Sequence, residues 1–207
     1  MKKGQLIVIS GFAGTGKGTL VKLLTSRYEK DYILSVSATT RQPRAGEREG
    51  IEYFFKTVDE FEEMIRNDEL LEYAKFVDNY YGTPASFVKE WREAGRNVIL
   101  EIEIQGALKI KEKYEDTVLI FVVPPSAEEL KARLIKRGTE TEEVIDKRLK
   151  RAGEESEGIE KYDYVLVNDD LEECVEELHQ VICASAHSTK NRGELIERLR
   201  QELKVFG

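Results

Sequence analysis

Apolar positions recur in short strand-like runs along this chain, at Leu6 to Ile9, Ile33 to Val36, Val98 to Ile102, Val118 to Val123 and Tyr164 to Val167, with helix-like or loop-like stretches between them. A strand covered on both faces reads as an unbroken apolar run, and helices between such strands supply the crossovers that parallel pairing requires. The pattern predicts an α/β fold with a parallel sheet between two helical layers. Leu20, Leu23 and Leu24 share a helical face and predict a helix to about Arg27. Thr57 and Glu60 form a capping-box pattern ahead of Phe61, Met64 and Ile65, and Ser126 and Glu129 repeat it ahead of Leu130, Leu134 and Ile135. Val175, Leu178, Val181 and Ile182 mark a further helix, and Leu195, Ile196, Leu199 and Leu203 mark another over about Gly193 to Leu203.

Two stretches break this alternation. Arg41 to Phe55 is polar, basic and glycine-containing and ends in Tyr53, Phe54 and Phe55, which predicts a small β-containing lobe inserted over residues 37–93. Residues 138–158 carry three glycines and many charges around a thin apolar stripe of Val144, Ile145 and Leu149, which predicts a solvated mobile arm or lid. The core is then assembled from residues 1–36, 94–137 and 159–190, with a helical extension at 191–207. The narrow apolar face of that extension favours a brace on the core over self-association.

The first apolar run leads into Gly11, Phe12, Ala13, Gly14, Thr15, Gly16, Lys17, Gly18 and Thr19, and a helix follows. Glycines here allow the backbone to turn so that successive N–H groups and a helix N-terminus face an anion, and Lys17 adds a positive charge for outer phosphates. The alternative is a glycine-rich turn with no ligand, which four glycines and a lysine between strand and helix disfavour. Position 18, where a Ser or Thr hydroxyl would reach magnesium, holds Gly18, with Thr19 one place later. A second group follows at Ser37 to Phe55, where Arg41 and Arg44 precede Glu47, Gly50 and Tyr53 at three-residue steps. Two guanidinium forks near a tyrosine suit a second phosphate. The competing reading is a charged surface hairpin.

Through GFAGTGKGT, TTRQPRAGEREGIEYFF, ELLEYAKF, NYYGTP, ILEIEIQG, RGTETEEVIDKRL and VNDD, the chain resembles the guanylate kinase family over nearly its whole length. The resemblance implies a P-loop core, a GMP-binding lobe with β-strands, a helical lid, and magnesium-dependent phosphate transfer from ATP to GMP, with dGMP as a further acceptor. It assigns residues 11–19, Arg133, Arg137 and Asn168 to ATP, and Ser37, Arg41, Arg44, Glu47, Tyr53, Glu72, Tyr81, Thr83, Glu101 and Glu103 to GMP. Lys17, Arg41, Arg137 and Arg148 are the implied catalytic cations, with Arg151 beside them. Guanine presents N1–H and NH₂ side by side, so the Glu72 carboxylate can accept both while Ser37 and Thr83 hydroxyls donate to O6. A site built this way can discriminate against the wrong base by roughly 10⁴-fold. The family often has aspartates where this chain has Glu101 and Glu103. With no side-chain oxygen at Gly18, Mg²⁺ is expected to rest on ATP phosphates and water. Rival readings are a phosphopeptide-binding domain of the same fold, against which Gly16 and Lys17 stand intact, and a kinase for another small phosphorylated acceptor.

Composition narrows the partners. With 207 residues, 41% hydrophobic and 35% charged, the chain can bury a full core beneath a solvated surface, and its net charge of −8 opposes broad adhesion to nucleic acid or anionic membranes. No apolar stretch approaches membrane-span length, and the expected location is the cytoplasm. Cys174 and Cys183 lack metal-ligand spacing and are expected to be reduced thiols, and His179 and His187 lie away from every motif.

Overall fold

The computed structural model describes residues 3–76, 78–136 and 141–206, so Arg137 and the first positions of the expected lid lie outside the described residues. The main sheet has strands β1 (Leu6–Gly11), β2 (Tyr32–Leu34), β7 (Asn97–Glu101), β8 (Val118–Val123) and β9 (Tyr164–Val167), in the spatial order β2-β7-β1-β8-β9 and parallel throughout. Strand β1 is central, and the period-two alternation of its side chains feeds two separate cores. Ile7 and Ile9 pack with Leu20 and Leu24 of α1 (Lys17–Arg27) and with Val175, Leu178 and Ile182 of α7 (Leu171–Ser185). Leu6 and Val8 pack on the opposite face with Val88 of α3 (Ala85–Glu93) and with Ala107 and Ile110 of α4 (Ile104–Lys113). These are the three layers expected from the apolar runs.

The strand boundaries differ slightly from expectation. The second strand ends at Leu34 instead of Val36, because the chain leaves the sheet after the Ser35 N–H donates to Ile99 O at 2.8 Å. The third run ends at Glu101, the last residue paired with β1, so Ile102 lies outside the ladder.

The second sheet, in the order β4-β3-β6-β5, consists of β3 (Ala38–Thr39), β4 (Phe54–Phe55), β5 (Leu70–Phe76) and β6 (Asn79–Pro84). Its small core is Ala38, Phe61 and Leu70, with Phe61 supplied by α2 (Val58–Arg66). The Thr57 hydroxyl accepts from the Glu60 N–H at 3.2 Å and the Glu60 carboxylate accepts from the Thr57 N–H at 2.7 Å, completing the capping box. Helix α3, which the sequence reading placed in the inserted lobe, sends Val88 and Trp91 into the main core instead.

Beyond β8, α5 (Ala127–Lys136) and α6 (Glu142–Ser156) form a separate cluster on Phe12 and Phe121. The Ser126 hydroxyl caps α5 by accepting from the Glu129 N–H, but the Glu129 carboxylate accepts from Arg133 Nε at 2.7 Å. Ile145 and Ala152 of α6 are buried, so the stretch read as a solvated arm has one packed face. Helix α8 (Gly193–Leu203) lies after the 3-10 turn Lys190–Arg192 and has no buried residue. Cys174 and Cys183 are both free thiols, and His179 stacks on Tyr28 with ring centroids 3.9 Å apart. Among the described residues no helix is long and apolar enough to cross a membrane.

Thr57→Ala is expected to cost about 1 kcal/mol through loss of the cap, lowering the thermal midpoint by about 2–4 °C. Circular dichroism melting would check this.

Candidate active site

Strand β1 ends in a loop whose tight packing explains its composition. A Cβ at Gly11 would stand 2.4 Å from the Val122 carbonyl oxygen of the neighbouring strand, leaving room only for hydrogen. Gly16 has φ +83° just before α1, and a Cβ there would lie 2.7 Å from Asn168 Nδ2. That Asn168 amide donates to the Thr15 carbonyl at 2.7 Å, while the Thr15 hydroxyl donates to Phe12 O at 3.0 Å. Arg133 in turn donates to Asn168 O at 2.8 Å. Asn168, assigned above to ATP contact, thus braces the loop through its backbone, and Arg133, assigned there too, holds the Asn168 carbonyl. Phe12 is buried edge-on against Phe121, whereas Gly11, Ala13 and Lys17 line a cavity of about 470 Å³.

Opposite the loop, the wall of this cavity is Glu101, Ile102 and Glu103. Lys17 Nζ lies 3.6 Å from Glu101 Oε1. Glu103 accepts from Arg151 Nη2 at 2.6 Å, and Arg151 Nε bonds Glu155 at 2.9 Å, so α6 is tied to the strand end. Arg148 and Lys147 of the same helix also line this cavity. A Cβ at Gly18 would lie 3.6 Å from Glu101 Oε1, placing this carboxylate above the position that lacks a side-chain oxygen. Thr19 is exposed beside it.

A second cavity, about 300 Å³, adjoins the first along these residues and is lined by Ser37, Tyr53, Glu72, Tyr81 and Gly106 together with the same Glu101, Ile102 and Glu103. The pairing of β5 with β6 shifts register between Leu70 and Tyr73, and Glu72 sits inside the irregularity. Such a shift re-aims side chains on the affected strand. Burial pushes the Glu72 carboxyl above its usual range, while the Thr83 bond and Lys109 oppose the rise. The Thr83 hydroxyl, expected to donate to guanine O6, donates to Glu72 Oε1 at 2.8 Å instead. It orients the carboxylate.

The arginine-rich loop is organised by Glu47. Its carboxylate accepts from both terminal nitrogens of Arg41, at 3.0 and 2.9 Å, and from the Arg44 N–H at 2.8 Å, which holds the carboxyl below its usual range. Glu47, assigned above to the ligand, therefore fixes the arginine. The Arg41 guanidinium lies 5.3 Å from the centroid of Tyr53, whose ring meets Tyr81 at 6.0 Å, and Arg44 is exposed. Gly106 belongs to none of the candidate sites read from the sequence, yet a Cβ there would stand 3.1 Å from Glu72 Oε2. Its place in ILEIEIQG, one turn into a helix that starts at the shared wall, was the available signal.

A family model described as "Guanylate kinase" matches residues 3–185. The chain is a member of the guanylate kinase family. It is 53% identical to a guanylate kinase of Caldanaerobacter subterraneus subsp. tengcongensis over 97% of each chain, and 50% identical to one of Halalkalibacterium halodurans over 99% of this chain and 98% of the relative. The crystal structure of guanylate kinase from Anaplasma phagocytophilum superimposes with a TM-score of 0.71 at 34% identity, covering 91% of this chain and 89% of that one. The parallel core with its glycine-rich loop is the P-loop arrangement of this guanylate kinase fold.

Asn168→Ala removes the amide that holds the Thr15 carbonyl and is expected to raise the KM for ATP five- to tenfold, or about 1 kcal/mol, with little change in the KM for GMP. Steady-state kinetics with each substrate varied in turn would check this.

Proposed function

We propose that this protein transfers the γ-phosphate of ATP to GMP, giving ADP and GDP. The observation that carries the reading is the wall of Glu101, Ile102 and Glu103, common to the cavity at the glycine-rich loop and the cavity at Glu72. Two anionic ligands seated there would meet end to end, as direct transfer between phosphates requires.

Lys17 and the N–H groups of residues 11–19 hold the outer phosphates of ATP. Arg41, preorganised by Glu47, receives the GMP phosphate with Arg44, Tyr53 and Tyr81. The guanine base lies against Glu72, where the ionised carboxylate accepts from N1–H and the exocyclic amine, and Ser37 donates to O6. Thr83 positions Glu72. The charge that spreads over the transferring group is met by Lys17, Arg41, Arg148 and Arg137. Asn168 and Arg133 keep the loop in shape for ATP. Cations crowd this site because four or more phosphate charges converge in it.

Among the described residues no cluster of three or more His, Cys, Asp or Glu side chains could hold a metal ion alone. The carboxylate of Glu101 above Gly18 suits Mg²⁺ carried by ATP, through its water ligands. Mg²⁺ bound with ATP neutralises phosphate charge and orients the chain of phosphates. Glu101 would hold such an ion through water, and it pairs with Lys17. The reaction is placed in the cytoplasm, where ATP is supplied.

A coupled assay of ATP against GMP, dGMP, AMP, CMP and UMP tests the reading, with turnover expected for the guanine nucleotides; equal turnover with AMP would refute it. Lys17→Ala is expected to lower kcat by about 10²–10³-fold. Glu72→Gln is expected to lower kcat/KM for GMP by about 10²-fold or more while leaving the KM for ATP within about twofold.

Because burial raises the Glu72 carboxyl, its charged form is lost on acidification earlier than that of an ordinary glutamate. The kcat/KM for GMP is therefore expected to fall as pH drops through this raised value, measured over about pH 5 to 8, with a shallower fall in Glu72→Gln. The sign for stability is opposite: a raised folded-state pKa favours the fold at low pH, and that contribution disappears as pH rises through it.

A further inference from the structure

Ser10 immediately precedes the glycine-rich loop and has no exposed surface. Its backbone belongs to β1, which pairs with β8 as far as Gly11 and Val122 but with β7 only as far as Ile9 and Glu101. One residue past that last pair, the Ile102 carbonyl has left the ladder. The Ser10 hydroxyl donates to it at 2.7 Å, a side-chain bond where sheet pairing has run out.

Ile102 is the middle residue of the wall shared by the two cavities, flanked by the carboxylates of Glu101 and Glu103. Its backbone position sets how far each acid projects, Glu101 toward Lys17 and Glu103 toward Arg151. We propose that Ser10 is a positioning residue for phosphoryl transfer, holding the strand end at the depth that aligns donor and acceptor phosphates. The inference rests on the phosphotransfer reading given above. Ser10 lines neither cavity, so it acts on alignment and leaves affinity to the loop, Arg41 and Glu72. Small misplacements at a reacting centre can cost about 10²-fold in rate.

Purified Ser10→Ala enzyme, shown to be folded by circular dichroism, is expected to have kcat reduced about 10- to 100-fold with both KM values within about threefold of the parent. Slack alignment also lets water attack the γ-phosphorus in place of the GMP oxygen, breaking the same bond to give ADP and inorganic phosphate. The ratio of inorganic phosphate to GDP is therefore expected to rise, and loss of stability alone would not change that ratio.

Tyr162 supplies the control. Its buried phenol lies beside Ser10 but makes no hydrogen bond of normal geometry, so Tyr162→Phe leaves the Ile102 bond in place and is expected to keep kcat within about twofold. Ser10→Thr, which retains the hydroxyl, is expected to restore coupling.

Parental kcat and coupling in folded Ser10→Ala would overturn the inference, as would a loss confined to KM or an equal loss in Tyr162→Phe. If Ser10→Ala does not fold, Ser10→Cys carries the same test, because sulfur is a weak donor, and parental kcat and coupling in that enzyme would overturn the inference. A parent enzyme without GMP-dependent turnover would instead remove the reading on which it rests.

Discussion

The pairing of β1 with β7 is the constraint on which the site depends. Four registered pairs, from Leu6 with Val98 to Ile9 with Glu101, bring two strand ends to the same edge of the sheet. One end continues into the phosphate-type loop and the other into the wall. Open α/β sheets gather ligands at the carboxyl ends of their strands because loops and helix N-termini converge there. In this chain the convergence serves two cavities, since the residues leaving β7 line both.

Around that edge, residues divide between those available to ligands and those that hold others in place. Glu47 grips Arg41, Thr83 grips Glu72, Asn168 grips the loop and Arg133 grips Asn168. The first two restrict a side chain to one rotamer, and the last two fix a backbone carbonyl. Preorganisation of this kind places dipoles and charges before the ligand arrives, so little reorganisation is needed during reaction. The opposing shifts at Glu47 and Glu72 follow from their surroundings: one carboxylate lies in a guanidinium fork, the other is desolvated against a strand.

Much of this was legible in the order of residues. The five apolar runs mark the five strands of the main sheet: β1, β7 and β8 are apolar because both faces are covered, and the edge strands β2 and β9 keep apolar runs although Leu34, Val165 and Val167 are exposed, while the Thr57 capping box marks its helix because its two bonds are local. Less legible was α3, whose short apolar stripe does not say which sheet receives it. The same limit applies to the site. Residue types at Arg41, Glu47, Glu72 and Thr83 point to phosphate and guanine, but which of them meet a ligand and which meet each other depends on side-chain geometry. The contact of Gly106 with Glu72 joins positions 34 residues apart in sequence, beyond the reach of any local pattern. The bracing by Asn168 spans 153 positions.

The smaller sheet rests on a core of only Ala38, Phe61 and Leu70, whereas the main sheet has a large apolar cluster on each face. Burial scales the free energy of local opening, so the two sheets do not share one cooperative stability. Amide protons in β3 to β6 would exchange with solvent through partial openings that leave β1, β7 and β8 protected. Specificity for the base, and with it Arg41, is thereby entrusted to the more thinly packed part of the molecule, and the glycine-rich loop with Lys17 to the more thickly packed part.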